Sequence, residues 1–473
     1  MTDDIQPAAL SALLSAHVEP GIQCDAALRS AVGNGQETWF LDTHTAAGHS
    51  RKFVLRRSAV AGVLDDTDRA HEFATLAILQ DHGLPTPRVY WLETEPSSLG
   101  RPFFVMDRLS GSPPAPRTDH EAAAIARDLG RRLAQLHLSG VPADDDTDAG
   151  AFTDREINRW RTRYAERRPA PVPIIGALLG WLAANRPDDS LDPVLLWGDA
   201  GPHNVLVEDG HVSALLDWEL SHTGHPIEDL GAAVWACLGR YPQDSVIAGY
   251  EEESGTTVDR DVLAYYAVLG CVSRSVMQLA GVSAFTTGET NALNLGGLGL
   301  ALPIANLVRA AEYARWPQGS GSSPAPESGE DELRLRPDVT ETLSGVARFL
   351  SEDLLPATEA AYLRRGIKTA VALLDVSARR SREDGPRAQR LQVAVDDLFD
   401  RLAAAGVHPV DGRRDAAALE AAAIHVETDE RFEQIRPEVR GVLVDGVRER
   451  ASTLEAVVRL YGADVQPAPS FAR

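Results

Sequence analysis

The chain has 473 residues, 44% of them hydrophobic, which suits a globular protein with one large core or two or three domains. Its formal net charge of −23 argues against broad attraction to nucleic acid or anionic lipid, so neither nucleic acid nor membrane is an expected partner. Cys24, Cys237 and Cys271 are widely spaced and form no CxxC or Cys/His metal spacing; with an acidic Met1-Thr2-Asp3-Asp4 start and no apolar run of spanning length, reduced thiols in a cytoplasmic protein are expected.

Leu10, Leu13, Leu14, Val18 and Ile22 predict a short amphipathic helix and an entry segment within residues 1–30. Gly33 and Gly35 then open an alternating strand that runs to Leu41, with Arg51 to Arg57 as its partner. The glycines would let backbone N–H groups approach phosphate oxygens, and an ordinary hairpin turn explains them as well. Ala123, Ile125, Ala126, Leu129, Leu133 and Leu136 predict a helix over 119–137, whose final His137 reads as packed or capping. Asp144 to Asp148 reads as a solvated acidic loop.

Arg155, Arg159, Arg163 and Arg167 recur every four residues, with Trp160 and Tyr164 beside them. On a helix this is one slowly drifting stripe. It fits a solvated face, or a surface binding the phosphates of a substrate such as a coenzyme A thioester. Either would repel a polycationic aminoglycoside.

The stretch Leu196-Trp197-Gly198-Asp199-Ala200-Gly201-Pro202-His203-Asn204 carries Asp199 into a Gly/Pro loop, with Asn204 five residues later and Asp217 at the end of a further strand. Three oxygen-bearing side chains at one end of a β-ribbon suit phosphoryl transfer from Mg-ATP: Asp199 as the catalytic base, Asn204 and Asp217 as metal ligands. Glu219 reads as a metal or water contact or a structural group, and His203 as a neighbour of the site outside its chemistry. His222 and His225 read as loop histidines. Helices are predicted at 243–250, 261–279 and 302–314, with a loop between Gly281 and Asn294. After the linker-like run from Trp316 to Asp331, helices are predicted at about 338–354, 357–380, 387–405, 414–424 and 435–460, with a turn at Gly385-Pro386.

The Asp-x4-Asn spacing followed by a strand-end Asp is that of the protein-kinase catalytic loop and metal-binding Asp. With Trp-Gly-Asp at 197–199 and Asp-Trp-Glu at 217–219, the chain resembles the aminoglycoside phosphotransferase-like family of small-molecule kinases. The resemblance implies an α/β (α+β) two-lobed protein-kinase-like fold with a mainly helical C-lobe, followed by an all-α helical bundle. The implied domains are an N-lobe at 1–112, a C-lobe at 113–316, a linker at 317–336 and a helical domain at 337–473. ATP and Mg²⁺ are the implied cofactors. Gly33 and Gly35 would cover the phosphates, Arg56 would stand at the basic position usually held by Lys with Glu72 as its partner and Lys52 as a substitute, and Met106 to Leu109 would form the adenine hinge. Asp229, in Gly224-His225-Pro226-Ile227-Glu228-Asp229-Leu230, would brace the catalytic loop.

The tail resembles a small helical domain accompanying a branch of these kinases, on the residues Arg336-Pro337-Asp338, Leu343, Val346, Phe349-Leu350 and Leu354-Leu355-Pro356. Members of that branch, alone or fused to acyl-CoA dehydrogenases, include kinases that phosphorylate a hydroxyacyl-CoA. The expected activity is therefore ATP-dependent phosphorylation of a small-molecule hydroxyl, foremost of a hydroxyacyl-CoA, with Arg155, Arg159 and Arg163 as substrate contacts. The alternatives are an antibiotic or other small alcohol as acceptor, and a nucleotide-binding pseudokinase scaffold that the arginine at position 56 keeps open.

Overall fold

The computed structural model describes residues 5–30, 36–58, 69–95, 99–142, 149–187, 191–237, 239–290, 293–317, 339–408 and 412–451. The glycines at 33 and 35, the acidic loop at 144–148, residues 318–336 of the expected linker and the last part of the predicted 435–460 helix lie outside these residues.

In chain order, helix α1 (Pro7–His17) and strand β1 (Gln23–Arg29) precede β2 (Gln36–His44), β3 (Ser50–Ser58), α2 (Arg69–Asp81), β4 (Val89–Glu93) and β5 (Phe103–Asp107). Helices α3 (Asp119–Leu138), α4 (Ala149–Arg167) and α5 (Pro173–Ala184) follow, then β6 (Val194–Leu196), β7 (Val205–Glu208), β8 (His211–Leu215) and β9 (His222–Gly224). The rest is helical: α6 (Pro226–Ala236), α7 (Gln243–Ser254), α8 (Arg260–Thr287), α9 (Leu293–Tyr313), α10 (Val339–Phe349), α11 (Leu355–Ala357), α12 (Ala361–Ala404), α13 (Ala416–Thr428) and α14 (Arg436–Ala451). The chain divides into two compact units, residues 1–149 with 191–258, and residues 150–190 with 259–473.

The first unit is built on a five-stranded antiparallel sheet in the order β1-β2-β3-β5-β4. The entry segment expected after α1 is thus an edge strand. Trp39, Leu41, Phe53, Leu55, Phe103 and Val105 point to one face and bury Leu10 and Leu14 of α1. Because successive strand residues alternate, Arg56 and Arg57 leave β3 on opposite faces. Arg57, opposite Glu37 on β2, donates from Nε (2.9 Å) and Nη2 (2.6 Å) to Glu37 Oε2, while Arg101 (3.0 Å) and Arg29 (3.3 Å) reach Oε1. Arg56 is left to the other face. Helix α3 crosses α7 so closely that a Cβ on Gly130 or Gly249 would lie 1.9 Å from a carbonyl oxygen of the facing helix.

The second unit is helical throughout its described residues, and its tail packs on helices that precede the linker. Helix α5 meets α13 along two glycines, where a Cβ on Gly176 would lie 2.7 Å from Glu420 Cγ and one on Gly180 3.2 Å from Glu427 Cβ. The buried Tyr164 hydroxyl lies 2.9 Å from Glu420 Oε2, while Arg168 pairs with Glu420 Oε1. Burial, with the Glu420 charge added, pushes the Tyr164 phenol well above its usual range. Arg448 joins Glu312 at 3.1 Å, tying α14 to α9.

Several boundaries differ from expectation, among them that of α9, which begins at Leu293. Helix α8 runs through Gly281 and stops only where Gly288 takes φ +81°, so the loop is much shorter than 281–294. Helix α12 continues through Gly385-Pro386 as 44 residues, because strong helix formers on both sides propagate past a proline that removes one backbone donor.

Candidate active site

Asp199 is placed by a buried support. Strand β6 delivers Trp197 and Gly198, whose N–H groups donate to Asp229 Oδ2 (2.7 Å) and Oδ1 (2.8 Å) from the first turn of α6. Asp229 is fully buried and also accepts from His137 Nε2 at 3.2 Å, while Nδ1 of the same ring lies 3.0 Å from the Tyr250 hydroxyl. His137 is therefore packed, as expected, and more than that: it holds the group that holds the loop. Gly198 has φ +83°, and a Cβ there would lie 2.1 Å from the Leu220 carbonyl oxygen. Only glycine fits.

Asp199 Oδ2 accepts from Asn204 Nδ2 at 2.8 Å, and His203 Nε2 lies 3.2 Å from the same oxygen. The Asn204 amide nitrogen also reaches the Asp199 carbonyl at 3.1 Å, which leaves its amide oxygen as the atom able to ligate a cation.

Asp217 is pinned by its neighbours. It adopts φ +63°, a conformation costly for a residue with a Cβ. The Trp197 indole N–H holds the carbonyls of Leu216 (2.8 Å) and Asp217 (3.2 Å), and the Leu216 N–H donates to the Asn204 carbonyl at 2.8 Å. Trp218 stacks on Trp197 with centroids 5.7 Å apart, both fully buried. The tryptophans of the two motifs thus lock the loop of Asp199 to the turn of Asp217.

Arg56 occupies the face of the sheet opposite Arg57. Its Nη1 pairs with Glu72 Oε1 at 3.1 Å and its Nη2 with Asp217 Oδ1 at 2.9 Å. Burial works against its charge, but Asp217, Glu72 and Glu219 outweigh that and raise its pKa further. Lys52, opposite Asp42, is exposed and takes no part in this cluster. Glu219 sits 2.9 Å from Arg69 Nη2 and 3.6 Å from Arg56 Nη2. Burial, with repulsion from Asp217 and Glu72, pushes its carboxyl up to about 7 against the opposing pull of the two arginines.

Val54 and Met106 are cross-strand partners on the Arg56 face, and the chain leaves β5 in an extended segment through Leu109. The backbone of Leu109 has no hydrogen-bond partner among the described residues, the condition needed for a hinge that bonds a base. Ser112 then pairs with Val207, joining the segment to the β7–β8 hairpin at 2.8 and 3.1 Å.

The structure therefore brings together Asp199, Asn204, Asp217, Arg56, Glu72 and Asp229. The arginine stripe lies on α4 of the second unit and is not uniform: Arg155 is exposed over the Phe152 ring, Arg159 is half-buried beside Glu156, and Arg163 is buried. Sequence reading missed the contact of His203 with Asp199, and it missed Arg69, whose only signal is its place three residues before Glu72.

Residues 29–266, half of the chain, match the family model described as the phosphotransferase enzyme family. The chain belongs to that family. As a phosphotransferase it is 25% identical over 239 residues to acyl-CoA dehydrogenase family member 10 of Mus musculus, an alignment covering 48% of the chain and 22% of the relative. It is 28% identical over 194 residues to acyl-CoA dehydrogenase family member 11 of Gallus gallus, covering 38% and 25%. The phosphotransferase thus spans about a quarter of the length of these curated relatives. A solved structure named as a candidate aminoglycoside phosphotransferase of Ralstonia eutropha JMP134 superposes with a TM-score of 0.50 at 22% identity, over 65% of the phosphotransferase and 97% of that chain. The fold is protein-kinase-like, as the sequence implied.

Proposed function

We propose that this phosphotransferase moves the γ-phosphate of ATP to a hydroxyl of a hydroxyacyl-CoA. The observation that carries the reading is the placement of Asp199, Asn204 and Asp217 around one loop, with Arg56 joining Asp217 to Glu72. Asp199 orients the acceptor hydroxyl and takes its proton as the new O–P bond forms and the bond from the γ-phosphorus to the β-phosphate oxygen breaks, with ADP leaving. The Asn204 amide oxygen and the Asp217 carboxylate are hard oxygen donors and fit Mg²⁺. That ion, when bound, offsets charge on the β- and γ-phosphates. Arg56, fixed by Glu72, supplies fixed positive charge beside Asp217, while the extended segment at Leu109 offers backbone groups to adenine.

The acceptor assignment is supported by the relatives, whose names place them among acyl-CoA dehydrogenases. The name of the Ralstonia eutropha structure favours an antibiotic or another small alcohol as the second reading. A nucleotide-binding scaffold is the third, and the complete Asp199, Asn204 and Asp217 set weighs against it.

The test is ATP-dependent phosphorylation, read by mass spectrometry, across 3-, 4- and 5-hydroxyacyl-CoAs, the matching free acids, aminoglycosides and macrolides. Transfer to the thioesters alone supports the leading reading, and transfer only to an antibiotic replaces it. Asp199→Asn should lower kcat by about 10²–10⁴. Turnover that does not depend on Asp199 with any acceptor would assign the protein to the scaffold class.

A further inference from the structure

Arg69 belongs to no motif, yet it is 1% exposed and spends both terminal nitrogens on carboxylates of the site. Its Nη1 pairs with Glu72 Oε2 and its Nη2 with Glu219 Oε2 at 2.9 Å. Arg56 mirrors it from β3, reaching the other Glu72 oxygen at 3.1 Å, Asp217 at 2.9 Å and Glu219 at 3.6 Å. Arg56, Glu72, Arg69 and Glu219 therefore close a ring, with Asp217 on its rim. The Nε atoms of both arginines are buried without hydrogen-bond partners, so the carboxylates alone set the direction of each fork.

A lysine in place of Arg56 would present one compact ammonium, which a single glutamate can orient; a guanidinium needs two fixed acceptors to define its plane. Here three carboxyl groups converge on that guanidinium, two of them, Glu72 and Glu219, buried or nearly so, an unbalanced charge unless a second cation takes part of it. Arg69 takes that part. Without it Glu219, already 3.6 Å away, would compete with Asp217 for Arg56 Nη2. Helix α2 is held against the same segment by His71 Nε2, 2.7 Å from the Ser221 carbonyl, and by Thr75 Oγ1, 3.1 Å from Ser221 Oγ. The ring is thus mounted on a docked helix.

We propose that Arg69 is a positioning residue for nucleotide binding: by neutralising Glu219 and the far oxygen of Glu72 it keeps the Arg56 fork on Glu72 and Asp217. This rests on the Mg-ATP reading above. The test is calorimetric titration of the full chain with a non-hydrolysable ATP analogue and Mg²⁺, alongside thermal unfolding without nucleotide. Arg69→Met should raise Kd about tenfold or more, because it leaves a buried carboxylate without its partner. Adding Glu219→Gln in that background should recover most of the affinity, since the competing charge is then gone. A general loss of packing would not be reversed in this way.

Arg69→Lys keeps the charge but cannot bridge two carboxylates with one ammonium, so a rise of several-fold is expected, and this variant carries the test if Arg69→Met does not fold. A Kd within about twofold of wild type in the folded Arg69 variant, or a loss that Glu219→Gln leaves in place, would overturn the proposal while the kinase reading stands. Wild-type protein that binds no nucleotide would overturn both.

Discussion

At Gly198 two constraints coincide, a left-handed backbone and a carbonyl oxygen 2.1 Å from where a Cβ would sit. The residue lies between the Asp229 support and Asp199, so any shift there moves the base. Gly198→Ala should cost more than about 3 kcal/mol and depress kcat well beyond its effect on Tm, checked by thermal melts beside steady-state kinetics. The arginines on α4 call for a different substitution. Arg163 is buried, so reversing its charge would disturb packing whatever its role, whereas Arg155 and Arg159 are accessible. Reversing both to Glu should raise KM for a hydroxyacyl-CoA about tenfold or more and leave KM for ATP within about twofold, if they meet its phosphates. Equal effects on the two constants would remove α4 from the acceptor site.

Among the elements, the five-stranded sheet depends on an ionic cluster on the face away from Arg56. Burial raises the Glu37 carboxyl, but the hydrogen bond from Arg57 and the charges of Arg29, Arg57 and Arg101 together hold it below the usual glutamate range. The linkage sign follows. A carboxyl with a depressed folded pKa adds stability above its unfolded pKa and loses that stability as pH falls through the folded value. Urea midpoints should therefore decline in wild type as the pH drops below about 4.5, and Glu37→Gln should flatten that decline while lowering stability near pH 7. A decline of the same depth in the variant would show that other carboxyls dominate the acid limb.

For the whole molecule, the tail is the element that packs on helices preceding the linker. Its helix α13 covers the glycine face of α5, Glu420 receives Tyr164 and Arg168, and α14 grips α9 through Arg448 and Glu312. Removing residues 318–473 would uncover α5 and leave the buried Tyr164 hydroxyl without its carboxylate. The truncated chain should bind a hydrophobic dye strongly and lose at least about 10 °C in Tm, or fail to accumulate as soluble protein. A truncated chain with Tm within about 2 °C of the full chain would make the tail a separable module.

The candidate site was legible in the sequence because it is local. Asp199, Asn204 and Asp217 lie within 19 residues of chain, and the strands and turns between them bring their atoms together with little help from elsewhere. Helix α3 and the β2–β3 pair were legible for a similar reason, since their apolar periods name the buried face. What only the tertiary structure decided are contacts between distant segments. Strand register gave Arg56 rather than Lys52 to Glu72. Arg69 reaches Glu219 across 150 positions, and Trp197 meets Trp218 across a hairpin, neither of which any periodicity encodes. Helix α12 runs through Gly385-Pro386 where the dipeptide signalled a turn, because flanking propensity outweighed one local break. The arginine stripe divided into exposed and buried members once helix packing, which a period of four cannot report, had chosen which side of α4 to cover.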